Sequence, residues 1–171
     1  GLVNAVTNTS SYTNNDGVAG PFVITLTIEE DGKEYVFYIP RFLSLETSKN
    51  LDNFFNMYSP SAMSEEYMDA LYEDTPCLYV KQDTALELYH LTGKRFYKDF
   101  LKKSKNSIIK RYFDRGQEKE IIDFLQFGFF ASSSLDKFRK IADEREMSIL
   151  SAYILEEQKK KAPKTTTKFT I

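Results

Sequence analysis

The chain has 171 residues, 42% of them hydrophobic, and a formal net charge of −2; this is enough for one globular domain with a substantial core, and it is not the charge of a general polyanion binder. One cysteine, Cys77, and one histidine, His90, leave no intramolecular disulfide and no metal cluster built from thiols or imidazoles within this sequence, and the cysteine usage fits a reducing compartment. No apolar run approaches the roughly 18 residues that cross a bilayer. The N-terminus has neither the basic start nor the apolar core of a signal peptide, so a soluble, cytoplasmic protein with no membrane or lipid anchor is expected.

Residues 1–21 are polar and rich in Asn, Thr and Ser, the composition of an arm. From Phe22 the pattern alternates, with Phe22, Ile24, Leu26 and Ile28 on one face and Val23, Thr25 and Thr27 on the other, as in a half-buried strand. Asp31-Gly32 is a two-residue type I′ turn signal, which pairs Ile28 with Tyr35, Leu26 with Phe37 and Ile24 with Ile39. Pro40 ends the second strand, and Leu78–Val80 is a candidate third.

Ser44 caps a predicted helix bearing Leu51, Phe54, Phe55 and Tyr58, and Ser59-Pro60 breaks it. A helix from about Ser64 to Glu73 follows. Thr84 and Glu87 have the spacing of a capping box for a helix closed by Gly93, and Phe96, Phe100 and Leu101 open another. Ile108, Ile109, Tyr112 and Phe113 make a further short amphipathic helix stopped by Gly116. Gln117 to Ala131 reads as an apolar helix through Phe124, Phe127, Phe129 and Phe130, and helices bearing Leu135 to Ala142 and Ile149 to Ile154 complete the domain. The organisation is thus an arm at 1–21, one globular domain at 22–158 and a basic, Thr-rich tail at 159–171. The fold class is α+β, mainly helical, with an N-terminal β-hairpin packed on a helical bundle. No internal repeat is apparent.

Little in the chain reads as catalytic. His90 lies between Leu88 and Leu91 as a partly buried or surface helix histidine, Cys77 reads as a small core residue, and no motif joins them as nucleophile and base. Glu65-Glu66 and Asp143-Glu144 read as solvated helix faces, and no phosphate loop, dinucleotide fingerprint, nucleophile elbow or calcium loop is present. The expectation is a protein that is not an enzyme and carries no cofactor and no metal.

Charge is divided along the chain. Between Glu46 and Glu87 stand nine acidic residues and two lysines, whereas Lys94, Arg95, Lys98, Lys102, Lys103, Lys105, Lys110, Arg111 and Arg115 face only Asp99 and Asp114. The basic segment, interleaved with Phe96, Tyr97, Phe100, Tyr112 and Phe113, is a candidate nucleic-acid surface. The competing reading places those aromatics in the core and the lysines on an outer face that complements the acidic segment.

The order of elements resembles the tail assembly chaperones of long-tailed bacteriophages and prophages. The resemblance is carried by ITLTIEEDGKEYVFYIP at Ile24 to Pro40, TALELYHLTGKRFYKDFL at Thr84 to Leu101 and EIIDFLQFGFF at Glu120 to Phe130. It implies a self-associating, mainly helical protein of the bacterial host cytoplasm that coats the tape-measure protein, or another phage tail protein, during assembly. Partner binding would then use Leu51, Phe54, Phe55, Tyr58, Phe124, Phe127, Phe129 and Phe130. The alternatives are a structural virion component, such as a head-tail connector, and a nucleic-acid-binding accessory protein acting through residues 94–115.

Overall fold

The computed structural model describes residues 21–163, and the expected arm and the end of the tail lie outside them. The protein is α+β and mainly helical, and its packed residues fall into two compact units that divide at Ser104 and Lys105, so the stretch 22–158 is distributed over both.

In the N-terminal unit, β1 (Val23–Glu30) and β2 (Lys33–Pro40) form an antiparallel hairpin. Asp31 and Gly32 take φ of 53° and 73°, the paired positive values of a type I′ turn. The register pairs Ile28 with Tyr35, Leu26 with Phe37 and Ile24 with Ile39, as the turn predicts. Leu26 and Ile39 join Leu43, Leu51 and Leu71 in a core flanked by Phe37, Phe55, Met63 and Met68. Leu51 and Phe55 arrive on α1 (Leu45–Met57), Met68 and Leu71 on α2 (Glu65–Glu73), and Met63 closes a short 3-10 turn (Pro60–Ala62) between them. The Ser44 side chain accepts from Thr47 N–H, capping α1 as expected, and the Ser64 side chain accepts from Tyr67 N–H and caps α2.

Leu78–Val80 is not a strand. It is the first turn of α3 (Leu78–Thr92), because Cys77 at φ 64° turns the chain and Val80, Thr84, Ala85 and Leu88 then share one buried helical face. The sheet has two strands among the described residues. Thr84 and Glu87 are likewise no capping box, since both lie inside α3. The Glu87 carboxylate instead accepts from the backbone N–H groups of Phe22 and Val23, each at 2.9 Å, and so ties the start of β1 to α3. These are charge-assisted bonds to the backbone donors at the start of the hairpin, so Glu87→Ala is expected to cost about 1.5 kcal/mol in urea denaturation. Gly93, at φ 64°, closes α3 as expected.

The two helices expected through Phe96 to Leu101 and Ile108 to Phe113 are one, α4 (Arg95–Asp114), which begins in this unit and ends in the next. The C-terminal unit adds α5 (Glu118–Leu125), α6 (Ser132–Glu144) and α7 (Ser148–Lys161). The apolar helix expected over 117–131 stops at Leu125. Gly128, at φ 74°, turns the chain, and Phe127, Phe129 and Phe130 fold back around Phe124 from an irregular segment. Ala131 occupies the N-cap of α6, and Lys159 to Lys161, expected in the tail, form the end of α7.

The backbone also reveals a repeat that the residues hide. After α4, Gly116 N–H donates to Phe113 O and Gln117 N–H to Tyr112 O; after α6, Glu146 N–H donates to Asp143 O and Met147 N–H to Ala142 O. Both turns are the same left-handed helix stop, with φ of 64° at Gly116 and 58° at Glu146. Arg145 Nη1 donates to Phe113 O, and Glu118 Oε1 accepts from Leu150 N–H at 2.7 Å, so two bonds of equal span, 32 residues, lock one helical hairpin to the next. Glu146 is the strained member of the pair, and Glu146→Gly is expected to raise stability by about 0.5–1 kcal/mol in the same denaturation assay.

Candidate functional site

A cleft of about 380 Å³ opens beside β2 in the N-terminal unit. Four segments build it. Strand β2 supplies Val36, Phe37 and Tyr38; the end of the 3-10 turn and α2 supply Met63, Ser64, Glu65 and Met68; α3 supplies Leu88 and Thr92; and the start of α4 supplies Lys94 and Tyr97. The volume is at the small end of the roughly 300–1,000 Å³ typical of ligand sites. Its floor is apolar: Leu88 is 1% exposed, Phe37, Met63 and Met68 are half-buried, and Val36 stands 44% exposed at the mouth.

One charged group anchors the far wall. Lys94 Nζ lies 3.2 Å from both Glu65 Oε2 and Asp69 Oδ1. Its backbone is fixed too, because Lys94 N–H donates to Thr92 Oγ1 at 3.2 Å and Lys94 O accepts from Tyr97 N–H and Lys98 N–H as α4 begins. Burial alone would lower the Lys94 pKa, but the hydrogen bonds to Glu65 and Asp69 outweigh it and hold the ammonium above the ordinary lysine value. Tyr97, 3% exposed, is pushed up to about 12, first by burial and then by the charges of Asp69 and Glu65. Beneath it the Tyr72 ring meets Phe96, Tyr97 and Phe100 edge-on at 5.2 to 5.8 Å. Burial, ahead of Glu73 and Tyr97, raises the Tyr72 hydroxyl as well.

No protein-family model matches the chain, and neither a curated protein nor a solved structure does.

The residues expected to bind a partner divide by burial. Leu51 and Phe124 are 0% and 1% exposed and belong to the cores of their units. Phe129 and Phe130 are buried around Phe124, and Phe127 is half-buried with its ring stacked on Phe129 at 5.5 Å. Phe54 and Phe55 are half-buried, Phe55 against Phe37 at 5.3 Å and Phe54 against Tyr67 at 5.5 Å. From that group Tyr58 alone is well exposed, at 57%, beside Met57 at 72%.

The basic segment places most of its aromatics inward, with Phe100 half-buried and Phe96 alone exposed, at 39%. Tyr97, Tyr112 and Phe113 are buried, and Arg111 is 7% exposed with its guanidinium 5.1 Å from the Tyr112 ring. Arg95 and Lys110 pair with Asp99 and Asp114 one turn along α4, Lys105 donates to Phe129 O at 3.0 Å, and Lys102, Lys103 and Arg115 lie on the outside. The buried Tyr97, Tyr112 and Phe113 rings cannot stack on bases, so at those positions the arrangement favours the core reading. The complementarity expected between the acidic and basic segments is present within the N-terminal unit, at Lys94 with Glu65 and Asp69.

Proposed function

We propose that the protein is a non-enzymatic assembly chaperone of the phage tail type, which binds a helical partner such as a tape-measure protein. The cleft carries the reading: apolar side chains from four segments surround a space that accepts another protein's side chains, and none from the described residues fills it. Met63 and Met68 suit such a role because unbranched thioethers repack around whatever enters. The exposed Met57 and Tyr58 extend the apolar surface at the end of α1. The hairpin at Ile24 to Pro40 and the helix at Thr84 to Leu101, through which the sequence resembles those chaperones, both contribute walls of this cleft.

Co-expression with the products of adjacent genes, followed by affinity capture at low and high salt, tests the reading. A long helical protein should be retained at high salt and lost on Val36→Asp, a change at an exposed position that leaves the core intact. Capture of nucleic acid released by salt, or of a partner indifferent to Val36→Asp, would overturn it.

A further inference from the structure

Resting on that docking reading, we propose that the cleft selects a partner helix bearing an aliphatic or methionine anchor with a lysine or arginine one turn away, the anchor filling the cleft and the cation meeting Glu65. The cleft's size sets the first half. At about 380 Å³ it holds a few side chains of a helix and not a whole helix, and its apolar floor has no polar demand to satisfy.

The second half follows from which polar groups are already engaged. Ser64 Oγ accepts from Tyr67 N–H at 3.1 Å, and Thr92 Oγ1 donates to Leu88 O at 2.6 Å and accepts from Lys94 N–H. Lys94 is shared between two carboxylates at 3.2 Å. One ammonium between two carboxylates leaves the trio with a net negative charge, and Glu66 adds another exposed carboxylate beside it on α2. Glu65, with its side chain 81% exposed, keeps acceptor capacity that its contact with Lys94 does not use. An incoming cation therefore finds a partner at the rim, whereas an incoming anion meets Glu65 and finds the one lining ammonium occupied.

A display library of helix-forming peptides of about 15–20 residues, randomised at positions one turn apart, is the probe. It is selected on the whole chain and counter-selected on the Val36→Asp variant, whose folding is checked by circular dichroism. Enriched peptides should pair Leu, Ile or Met with Lys or Arg one turn away. A synthetic copy of the best of them should weaken about three- to fivefold on Glu65→Gln and weaken further with salt, as expected for a rim ion pair. If peptides bind in a way that Val36→Asp abolishes, but show no basic preference and ignore Glu65→Gln, the charge selection is wrong while the docking reading stands. If no peptide prefers the wild-type chain over Val36→Asp, the docking reading itself fails.

Discussion

Phe124→Ala is expected to destabilise the C-terminal unit by about 3–5 kcal/mol, read as a lower urea midpoint in near-ultraviolet circular dichroism. Phe124 is 1% exposed, and four rings close on it: Tyr112 at 6.3 Å, Phe127 at 6.0 Å, and Phe129 and Phe130 at 5.9 Å, all close to edge-on. Removing the central ring takes away its own burial and, with it, the edge-to-face partner of every neighbour. The neighbours cannot close the gap readily, because Phe130 also packs edge-on against Phe138 at 5.0 Å and Lys105 holds the carbonyl of Phe129. Phe124→Leu keeps most of the volume and should cost distinctly less. A loss below about 1 kcal/mol for the alanine variant would mean that the ring is not the centre of this core. The same geometry makes Phe124→Asp a poor probe of partner binding, since a buried unpaired carboxylate unfolds the unit before any interface is tested. Val36, exposed at the mouth of the cleft, is the better position.

Local rules were enough where the deciding residues are neighbours in the chain. A two-residue turn admits one register, so Asp31-Gly32 specifies the whole hairpin, and Ser44, Ser64 and Gly93 mark helix ends through bonds that span three or four residues. Where the deciding contact is remote, the same rules misled. Three alternating residues, Leu78 to Val80, suit a strand or a helical turn equally, and the outcome rests on the face that continues through Thr84 and Leu88. Glu87 has the spacing of a capping partner for Thr84, yet its carboxylate binds backbone 65 and 64 residues earlier. Apolar composition runs on past Leu125, but the positive φ of Gly128 ends the helical path. The hairpin repeat escaped notice because the counterpart of Gly116 is Glu146, which carries none of the usual signature of a left-handed helix stop. The cleft draws on four separated segments, and its one trace in the sequence is the reversal of charge at Lys94.

Raising the pH above 10 is expected to destabilise the N-terminal unit. An unfolded tyrosine loses its proton near pH 10, whereas Tyr97 holds its proton to about 12. Between those values the folded chain binds more protons than the unfolded one, so stability falls as pH rises; it is fully present below pH 10 and lost by about pH 12. Two units of pKa correspond to about 2–3 kcal/mol from this side chain. Tyr72, shifted the same way by burial, and Lys94, whose ammonium is held by Glu65 and Asp69, add to the loss in the same direction. Urea midpoints measured from about pH 8 to pH 12 should therefore drop steeply for the wild-type chain and less steeply for Tyr97→Phe. Tyr72→Phe should flatten the curve and also raise stability at neutral pH by about 1 kcal/mol, because the Tyr72 hydroxyl is buried with no hydrogen-bond partner among the described residues. If both variants fall as steeply as the wild-type chain, the alkaline transition belongs to other groups. If Tyr97→Phe alone flattens it, the wall of the cleft, where Tyr97 sits against the Lys94 trio, is the part of the unit that gives way first.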